Sequence, residues 1–511
     1  MSRTFMQHIA GMWALALVVT VAPALPLQPD KKDAGPKEAA WTALPWYITS
    51  AAIHRVTLKP NNRFWRFEHL SLKAPEAASQ LNAWKDEGID AIEVFAPEEG
   101  GNSYDGLDAK NRLVLDPGLG SINDFRRLVR QAHSLHMSIV TFQNLGYAAM
   151  DAAQFLKAQD DVRAGRSTRE SRFFFWTDNA DAPPPARGDS YFLLRPSAPG
   201  YDPSKTEFWQ WSERAKHFYW TRWPGKGPNG ETTHLPQYDW ASPAWPEEAS
   251  RVVDFWMNTG LDGMVVDAVN WYVGYDWKKN AASIATIRRH AGAKLMVPEG
   301  GGAFHTDDPT GWVRDGEWTA LYDYGLDIWW EKQSRPMFNS IDKADPAEFE
   351  QALRSYHDRV VAAGGILIQP VLDMKDPGRQ QLEEGLLATS GDMLCYCNSD
   401  EATLRPAPGV SGLLKLKKQH PALFQNSARR RVATNQDATV YATVRSSADG
   451  SERILTVFNF SSQPISTEVD TRAISGSRYR DLESGEVATA SDGTLSIELS
   501  GYGHRLFRLD P

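Results

Sequence analysis

The 511-residue sequence predicts an α/β protein, a (β/α)₈ barrel with an inserted rim subdomain and a C-terminal antiparallel β-sandwich domain. Three observations support this prediction. Short apolar strands follow amphipathic helices repeatedly between residues 51 and 413, an aromatic segment interrupts them at residues 147–238, and alternating strands replace them from residue 414. Buried strands that alternate with helices form parallel sheets, and eight such units close into a barrel.

Four helix–strand units carry the barrel prediction. Their sequences are APEAASQLNAWKDEG with IDAIEVFAP, SINDFRRLVRQAHSLH with MSIVTFQNLG, PEEASRVVDFWMNTG with LDGMVVDAV, and SIATIRRHAGA with KLMVPEGGG. The strand segments are apolar at most positions, as is typical of strands that are buried on both faces. We therefore place the barrel at residues 51–146 and 239–413.

The insertion and the C-terminal region differ from the barrel in composition. Residues 147–238 are rich in aromatic residues, Pro and Gly, as in FFFWTDNADAPPPARG, and we interpret them as a subdomain on the rim of the barrel. Residues 414–511 contain the alternating segments ATVYATVR, RILTVFNF and TLSIEL, separated by Gly, Asp and Ser turns. This pattern predicts an antiparallel β-domain.

The N-terminal 24 residues have the three parts of a secretory signal peptide. A basic start at Arg3 precedes an apolar run at residues 11–21, and Ala22-Pro23-Ala24 forms a small-residue cleavage signal near Ala24. A membrane span needs about 20 apolar residues, so we expect a secreted or periplasmic protein without stable membrane association. An uncleaved anchor is the alternative. Residues 25–50 are rich in Pro, Lys, Asp and Ala, which predicts a flexible lead-in.

Composition narrows the functional classes. A net charge of −9 disfavours nucleic acid as a partner. The 19 Trp, 16 Tyr and 21 Phe suit a large core and also suit stacking on sugar rings. Cys395 and Cys397 share one face of a predicted strand at the limiting distance for a disulfide, so we interpret both as buried free thiols.

Three predicted barrel strands end in carboxylates. Asp267 follows MVV, Glu299 follows LMVP, and Asp373 and Asp376 follow ILIQPVL. The C-terminal ends of barrel strands converge on one pocket, and glycoside cleavage needs one protonated carboxyl group and one carboxylate there. A lone acid more often caps a helix or pairs with a lysine. For Asp267, Glu299 and Asp376 we favour catalysis, whereas Asp373 leaves both interpretations open.

These segments resemble the α-amylase family of glycoside hydrolases, in its oligo-1,6-glucosidase and trehalose synthase branch, from about Phe64 to the C-terminus. GLDGMVVDAVNW resembles the family's nucleophile strand, VPEG its acid/base strand and DMKDPGR its third strand motif. The resemblance implies that Asp267 is the nucleophile, Glu299 the general acid/base and Asp376 the stabiliser of the transition state.

The resemblance also implies sugar contacts. Tyr104 would be the aromatic platform at the cleavage point, and Asn144 would stand in for part of a motif that lacks its usual Asp and His. Trp271 and His305 lie on loops after the two catalytic strands, where ordinary packing or solvation is the alternative. The full set of substrate-binding candidates is Tyr104, Asn144, Trp271, His305, Asp373, Lys375 and Arg379.

Two departures from the family pattern alter the surroundings of the carboxylates. The arginine that usually precedes the nucleophile by two residues is Val265, and the histidine of the third motif is Lys375. A cation beside a carboxyl group lowers its pKa. In an active enzyme, Lys375 would then supply the charge that Val265 lacks.

We therefore expect a retaining α-glycosidase or transglycosylase that acts on α-linked glucosides and oligosaccharides through a glycosyl-enzyme intermediate. The alternative is a catalytically degenerate family member that serves as a sugar-binding or partner-binding ectodomain. An isomerase of the trehalose synthase type would share the first half-reaction. No cofactor is indicated, and calcium is neither required nor excluded by the sequence.

Overall fold

The computed structural model describes most of the chain after residue 43. The described ranges are 44–57, 72–101, 106–182, 185, 208–227, 229–269, 272–273, 277–299, 310–314, 316–322, 336–371, 376–396, 405–474 and 476–510. The signal peptide predicted at residues 1–24 lies outside them and stays a prediction. Among the described residues, no helix has both the length and the apolar character that crossing a membrane requires.

Eight parallel strands form the central sheet. In chain order they are β1 (Ala52–Thr57), β2 (Ala91–Phe95), β3 (Ser138–Asn144), β4 (Gly263–Asp267), β5 (Leu295–Pro298), β6 (Ala320–Tyr322), β7 (Ile366–Pro370) and β8 (Met393–Tyr396). Their order in the sheet is β5-β4-β3-β2-β1-β8-β7-β6. The backbone N–H of Met296 on β5 donates to the Thr319 hydroxyl beside β6 at 3.4 Å, so the sheet nearly closes. The barrel prediction is confirmed.

Helices connect the strands. They span Trp46–Thr49, Ala74–Asp86, Ile122–Ser134, Ala153–Arg163, Ala244–Met257, Trp277–His290, Gly311–Arg314, Pro336–Asp342, Pro346–Ala352, Asp358–Ala362, Pro377–Ser390 and Val410–Gln419, with 3₁₀ turns at Pro117–Leu119, Ser171–Phe173 and Pro421–Leu423 and a π-helical turn at Leu353–His357. Helix Ile122–Ser134 illustrates their formation. Ser121 and Asp124 form a capping box at its start, and its buried residues recur at helical spacing, so one face packs inward.

The strands bury side chains on both faces, and alternate residues belong to different clusters. Val140, Phe142 and Val265 lie in the cluster inside the barrel, whereas Ile139 and Met264 lie in the cluster shared with the helices. This alternation follows from the period of two in a strand. It defines which side chains reach the mouth of the barrel.

The described part of the rim insertion contains an antiparallel sheet. Its strands are Trp176–Thr177, Phe208–Ser212, His217–Lys226 and Thr232–Pro236. An isolated bridge between Tyr147 and Gln237 joins the two ends of the insertion. A separate hairpin, Glu98–Gly100 with Ala109–Leu115, follows β2.

The C-terminal region is antiparallel, as predicted. Its strands are Ala428–Val432, Val440–Ser446, Arg453–Asn459, Ile465–Asp470, Arg478–Asp481, Val487–Thr489, Thr494–Leu499 and His504–Asp510. Six of them form one sheet, while Ile465–Asp470 and Thr494–Leu499 form a second, and one apolar cluster includes residues of both. The predicted boundary at residue 414 falls inside helix Val410–Gln419, because that helix packs on Pro377–Ser390 before the sheet begins.

Two smaller predictions have different outcomes. Cys395 is buried on β8, as expected, whereas Cys397 lies outside the described residues. The flexible lead-in is predicted to extend to residue 50, and the structure describes residues 44–50 of it. Trp46–Thr49 is helical, and the Gln425 side-chain amide donates to the Tyr47 carbonyl at 2.6 Å, so this segment is held against the body of the protein.

A buried ion pair lies where the barrel helices meet the C-terminal sheet. His357 Nε2 is 2.8 Å from an Asp392 carboxylate oxygen, and both side chains are almost fully buried. His357 Nδ1 is 3.1 Å from Asp358. Burial alone would lower the pKa of His357, but the two carboxylates outweigh it and raise the pKa to about 9.

We expect the contribution of His357 to stability to depend on pH. Because its pKa is higher in the folded than in the unfolded protein, the contribution is complete below about pH 6.5 and is lost as the pH rises through about 9. Denaturant unfolding of His357→Gln should show its largest destabilisation at pH 6 and a smaller one at pH 10. The exposed His136→Asn serves as control. An equal loss at both pH values would contradict the charged pair.

Candidate active site

Three polar side chains lie side by side at the C-terminal edge of the barrel. Asn144 ends β3, Asp267 ends β4, and Glu299 directly follows β5. Asp267 pairs with Asn144 in register, and Val266 pairs with Pro298, so Glu299 is the neighbour of Asp267 on its other side. Each is two residues beyond a side chain inside the barrel, so all three face its mouth. The structure thus brings together Asn144, Asp267 and Glu299.

Asn144 orients the Asp267 carboxylate. Its side-chain Nδ2 donates to Asp267 Oδ2 at 2.6 Å. Its Oδ1 accepts the backbone N–H groups of Gly146 at 2.7 Å and Tyr147 at 3.2 Å, which fixes the amide with its nitrogen towards Asp267. Asn144, predicted as a sugar contact, is therefore also a positioning residue for the carboxylate.

The residue after Asp267 has a strained backbone and forms a hydrogen bond with Glu299. Ala268 has a φ of +49°, a left-handed conformation that is uncommon for residues other than glycine. In this conformation its backbone N–H donates to Glu299 Oε2 at 2.9 Å. Backbone strain of this kind persists where the surroundings enforce it and is frequent at active sites. Here the strained residue directly connects the two carboxylates.

Buried aromatic residues hold the backbone beneath the site. The Tyr272 hydroxyl donates to the Asp267 carbonyl at 2.6 Å and accepts the Leu145 N–H at 2.9 Å. The Trp240 ring stacks on Tyr272 with centroids 4.9 Å apart. The indoles of Trp240 and Trp245 both donate to the Leu145 carbonyl. These contacts give the three aromatic residues a structural role, since they tie the end of β3 to the end of β4.

The Asp267 carboxyl group is difficult to ionise. Burial and then the neighbouring Glu299 raise the pKa of Asp267 well above its usual range, while the Asn144 hydrogen bond and the positive charges of Arg55 and Arg112 act in the opposite direction. Two carboxyl groups this close titrate as a pair. Neighbouring carboxyl groups whose ionisation is opposed in this way suit a site that needs one acid and one carboxylate.

Sequence reasoning missed the charged residues inside the barrel. Arg55 on β1 forms a salt bridge with Glu93 on β2, and Tyr322 on β6 donates to Glu93. The signal was present in the strands IHRVT and AIEVF, where a charged residue occupies an otherwise apolar position.

Asp376 and Arg379 have local structural partners. Asp376 is exposed and caps helix Pro377–Ser390, where its Oδ1 accepts the N–H groups of Gly378 and Arg379. This is the helix-capping alternative, and the stabilising role of Asp376 stays a prediction. Arg379 forms a salt bridge with Asp342, and its Nε donates to the Tyr502 hydroxyl at 3.3 Å. These contacts give no support to the prediction that Arg379 contacts the sugar.

The other candidates lie outside the described residues. They are Tyr104, Trp271, His305, Asp373 and Lys375. Within the residues that the structure does describe, no cluster of three His, Cys, Asp or Glu side chains is arranged to hold a metal ion.

Two family models match the chain. Residues 78–309 match the catalytic domain of α-amylase, and residues 431–506 match the C-terminal domain of maltogenic amylase. The first match spans β3, β4 and β5 and therefore includes Asn144, Asp267 and Glu299.

Curated relatives match part of the chain. The trehalose-6-phosphate hydrolase of Escherichia coli K12 is 25% identical over 188 residues, which cover 36% of this chain and 29% of that protein. The oligo-1,6-glucosidase of Heyndrickxia coagulans is 22% identical over 191 residues, which cover 37% of this chain and 30% of that protein. The alignments thus span under a third of each relative.

Solved structures extend the likeness over nearly the whole chain. The α-amylase from H. orenii superposes with a TM-score of 0.68 at 12% identity, covering 90% of this chain and all of that one. An α-glucosyl transfer enzyme superposes with a TM-score of 0.65 at 16% identity, covering 91% of this chain and all of that one. At these identities the likeness shows a shared fold.

We expect Asp267→Asn to stabilise the protein increasingly as the pH rises. A carboxyl group whose pKa is raised on folding costs stability from about pH 4 upwards, because the folded state then holds a proton that the unfolded state has lost. Asparagine removes this cost. Urea unfolding between pH 4 and pH 9 should show a growing advantage of the variant. The exposed Asp86→Asn is the control, and a constant difference would contradict the raised pKa.

Proposed function

The chain belongs to the α-amylase family, and from this premise we propose that it is a retaining α-glycosidase or transglycosylase. One observation carries the proposal. Asp267 and Glu299 adjoin at the ends of neighbouring strands, with Asn144 bonded to the first and the Ala268 N–H to the second. Such a pair can divide the roles of nucleophile and acid.

The first step requires a protonated Glu299 and an ionised Asp267. Glu299 donates the proton to the glycosidic oxygen as the bond from that oxygen to the anomeric carbon breaks. Asp267 attacks the anomeric carbon through Oδ1, since Asn144 holds Oδ2. The products are a free alcohol, a glycosyl ester on Asp267 and an ionised Glu299.

In the second step, Glu299 acts as a base. It removes a proton from water, or from the hydroxyl of a second sugar, while that oxygen attacks the anomeric carbon and the ester bond to Asp267 breaks. Two displacements at one carbon restore its configuration. Water as acceptor gives hydrolysis, and a sugar hydroxyl gives transglycosylation.

The substrate class rests on the matched relatives. The names trehalose-6-phosphate hydrolase, α-glucosidase and oligo-1,6-glucosidase all refer to α-glucosidic substrates. We therefore propose an α-linked glucoside for this site. The alternative function, sugar binding without turnover, is favoured by Val265, which is buried and apolar where the family pattern has an arginine.

The proposal predicts turnover of α-glucosides with retention. A panel of aryl α-glucoside, maltose, isomaltose and trehalose should include a substrate, and NMR of the first product should show the α-anomer. Glu299→Gln should lower kcat by about 10²–10⁴-fold for a poor leaving group. Asp267→Asn should abolish turnover.

Two results would decide against this mechanism. An initial β-anomer would exclude a glycosyl ester on Asp267. Absence of turnover on the whole panel, with sugar binding by calorimetry equal in the wild type and both variants, would establish the binding alternative. The exposed Asp86→Asn variant should retain wild-type kinetics.

A further inference from the structure

A buried ion pair crosses the interior of the barrel. Arg55 on β1 and Glu93 on β2 are partners in register, and Arg55 Nε donates to Glu93 Oε1. The exposed fraction of the side chain is 9% for Arg55 and 0% for Glu93. The Tyr322 hydroxyl donates to the second Glu93 oxygen and lies 3.2 Å from the Cys395 sulfur. The pair thus contacts strands on both sides of β1.

Stability alone gives no reason for this pair. Taking two charges out of water costs several kcal/mol per ion, and well-packed apolar side chains of similar volume are often at least as stable. The surrounding interior consists of such side chains, among them Ile53, Val140 and Ile368. A buried cation at this depth therefore points to an electrostatic role.

The position of the Arg55 guanidinium suggests that it acts on Asp267. Its central carbon lies 4.6 Å from the ring centroid of Phe142 and 5.2 Å from that of Phe95. Phe142 pairs in register with Val265, and the next inward residues on these two strands are Asn144 and Asp267. The cation therefore lies against the layer directly below Asp267, to which Val265 contributes only a buried apolar side chain.

We propose that Arg55 is a positioning residue that stabilises the ionised form of Asp267 from the first strand, and that Glu93 limits this effect by partly neutralising Arg55. The inference rests on the proposed function, in which Asp267 must be ionised to attack. In this assignment, Arg55 on β1 supplies the positive charge near Asp267. Position 265 on β4 is a valine and supplies none.

The charged and titratable groups around Asp267 are consistent with this assignment. Glu299 on the β5 side opposes ionisation, and the Tyr272 hydroxyl is bonded to the Asp267 backbone. Two cations favour ionisation, and the effect of Arg55 on the pKa of Asp267 exceeds that of Arg112.

Arg112 belongs to a separate set of contacts. It comes from strand Ala109–Leu115, where its guanidinium is held by Glu98 at 3.4 Å and by the Tyr147 carbonyl. Among the described residues, the titratable groups that face Arg55 include Glu93 and Tyr322, and Cys395 lies behind the tyrosine. Changes at Arg55 and Glu93 therefore alter the charge below Asp267 without touching Arg112.

The inference predicts opposite shifts from two substitutions. The acid limb of the kcat/KM profile on an α-glucoside reports the ionisation of Asp267 in the free enzyme. Arg55→Met removes the cation and should move that limb to higher pH by about one unit, and Arg55→Lys should restore most of the shift. Glu93→Gln removes a counter-charge of Arg55 and should move the limb to lower pH. Loss of packing would not produce shifts of opposite sign.

A second measurement needs no substrate. Unfolding free energies between pH 4 and pH 9 should fall more steeply with pH in Arg55→Met than in the wild type, because the pKa of Asp267 is then raised further. Because Arg55→Met also leaves the buried Glu93 without this salt bridge, the slopes are compared in a Glu93→Gln background, where the extra slope should vanish when Asp267→Asn is added. Exposed Arg127→Met is the matched control. If Arg55→Met does not fold, Arg55→Lys and Glu93→Gln give the same comparison with smaller shifts of known sign.

The two proposals fail differently. The extra slope without any turnover of glucosides would support the role of Arg55 and contradict the proposed catalysis. Turnover with unchanged acid limbs in Arg55→Met and Glu93→Gln, and with equal slopes of stability against pH, would overturn the role of Arg55 and leave the catalysis intact.

Discussion

The site depends on one constraint, the register of β3, β4 and β5. Because side chains alternate along a strand, this register brings Asn144, Asp267 and Glu299 into one row at the mouth of the barrel. A shift of one residue in any of these strands would turn its polar side chain out of the row. The Tyr272 hydroxyl secures the arrangement, since it bonds to the backbone at the ends of both β3 and β4.

The same arrangement creates an electrostatic problem. Two adjoining carboxyl groups with restricted access to water cannot both ionise readily, so the pKa of Asp267 rises. The protein supplies an amide from Asn144 and cations at Arg55 and Arg112 to oppose this rise. Charges within a barrel interior are costly, which explains why Arg55 is held between a carboxylate and aromatic rings.

The sequence predicted those features that follow from local pattern. Apolar strands that follow amphipathic helices were sufficient to predict the barrel, and the carboxylates after those strands were sufficient to predict that Asp267 and Glu299 lie at its mouth. Helix Trp46–Thr49, at the end of the predicted lead-in, contacts residues distant in sequence, which no local pattern reveals. Capping by Asp376 could have been anticipated, because an aspartate before a proline is a common helix start. The charged residues are visible in the two strands, but the partnership of Arg55 and Glu93 depends on the register of β1 and β2, and the contact of Glu93 with Tyr322 depends on the closure of the sheet.

The most direct test of the account is to trap the glycosyl ester. With α-glucosyl fluoride, the leaving group needs no proton, so Glu299→Gln should form the ester but release it slowly for lack of a base. Mass spectrometry of the digested protein should then find one added glucosyl group on the peptide that contains Asp267, and none when Asp267→Asn is also present. An adduct on a different residue, or turnover of the fluoride that persists after Asp267→Asn, would contradict the central claim.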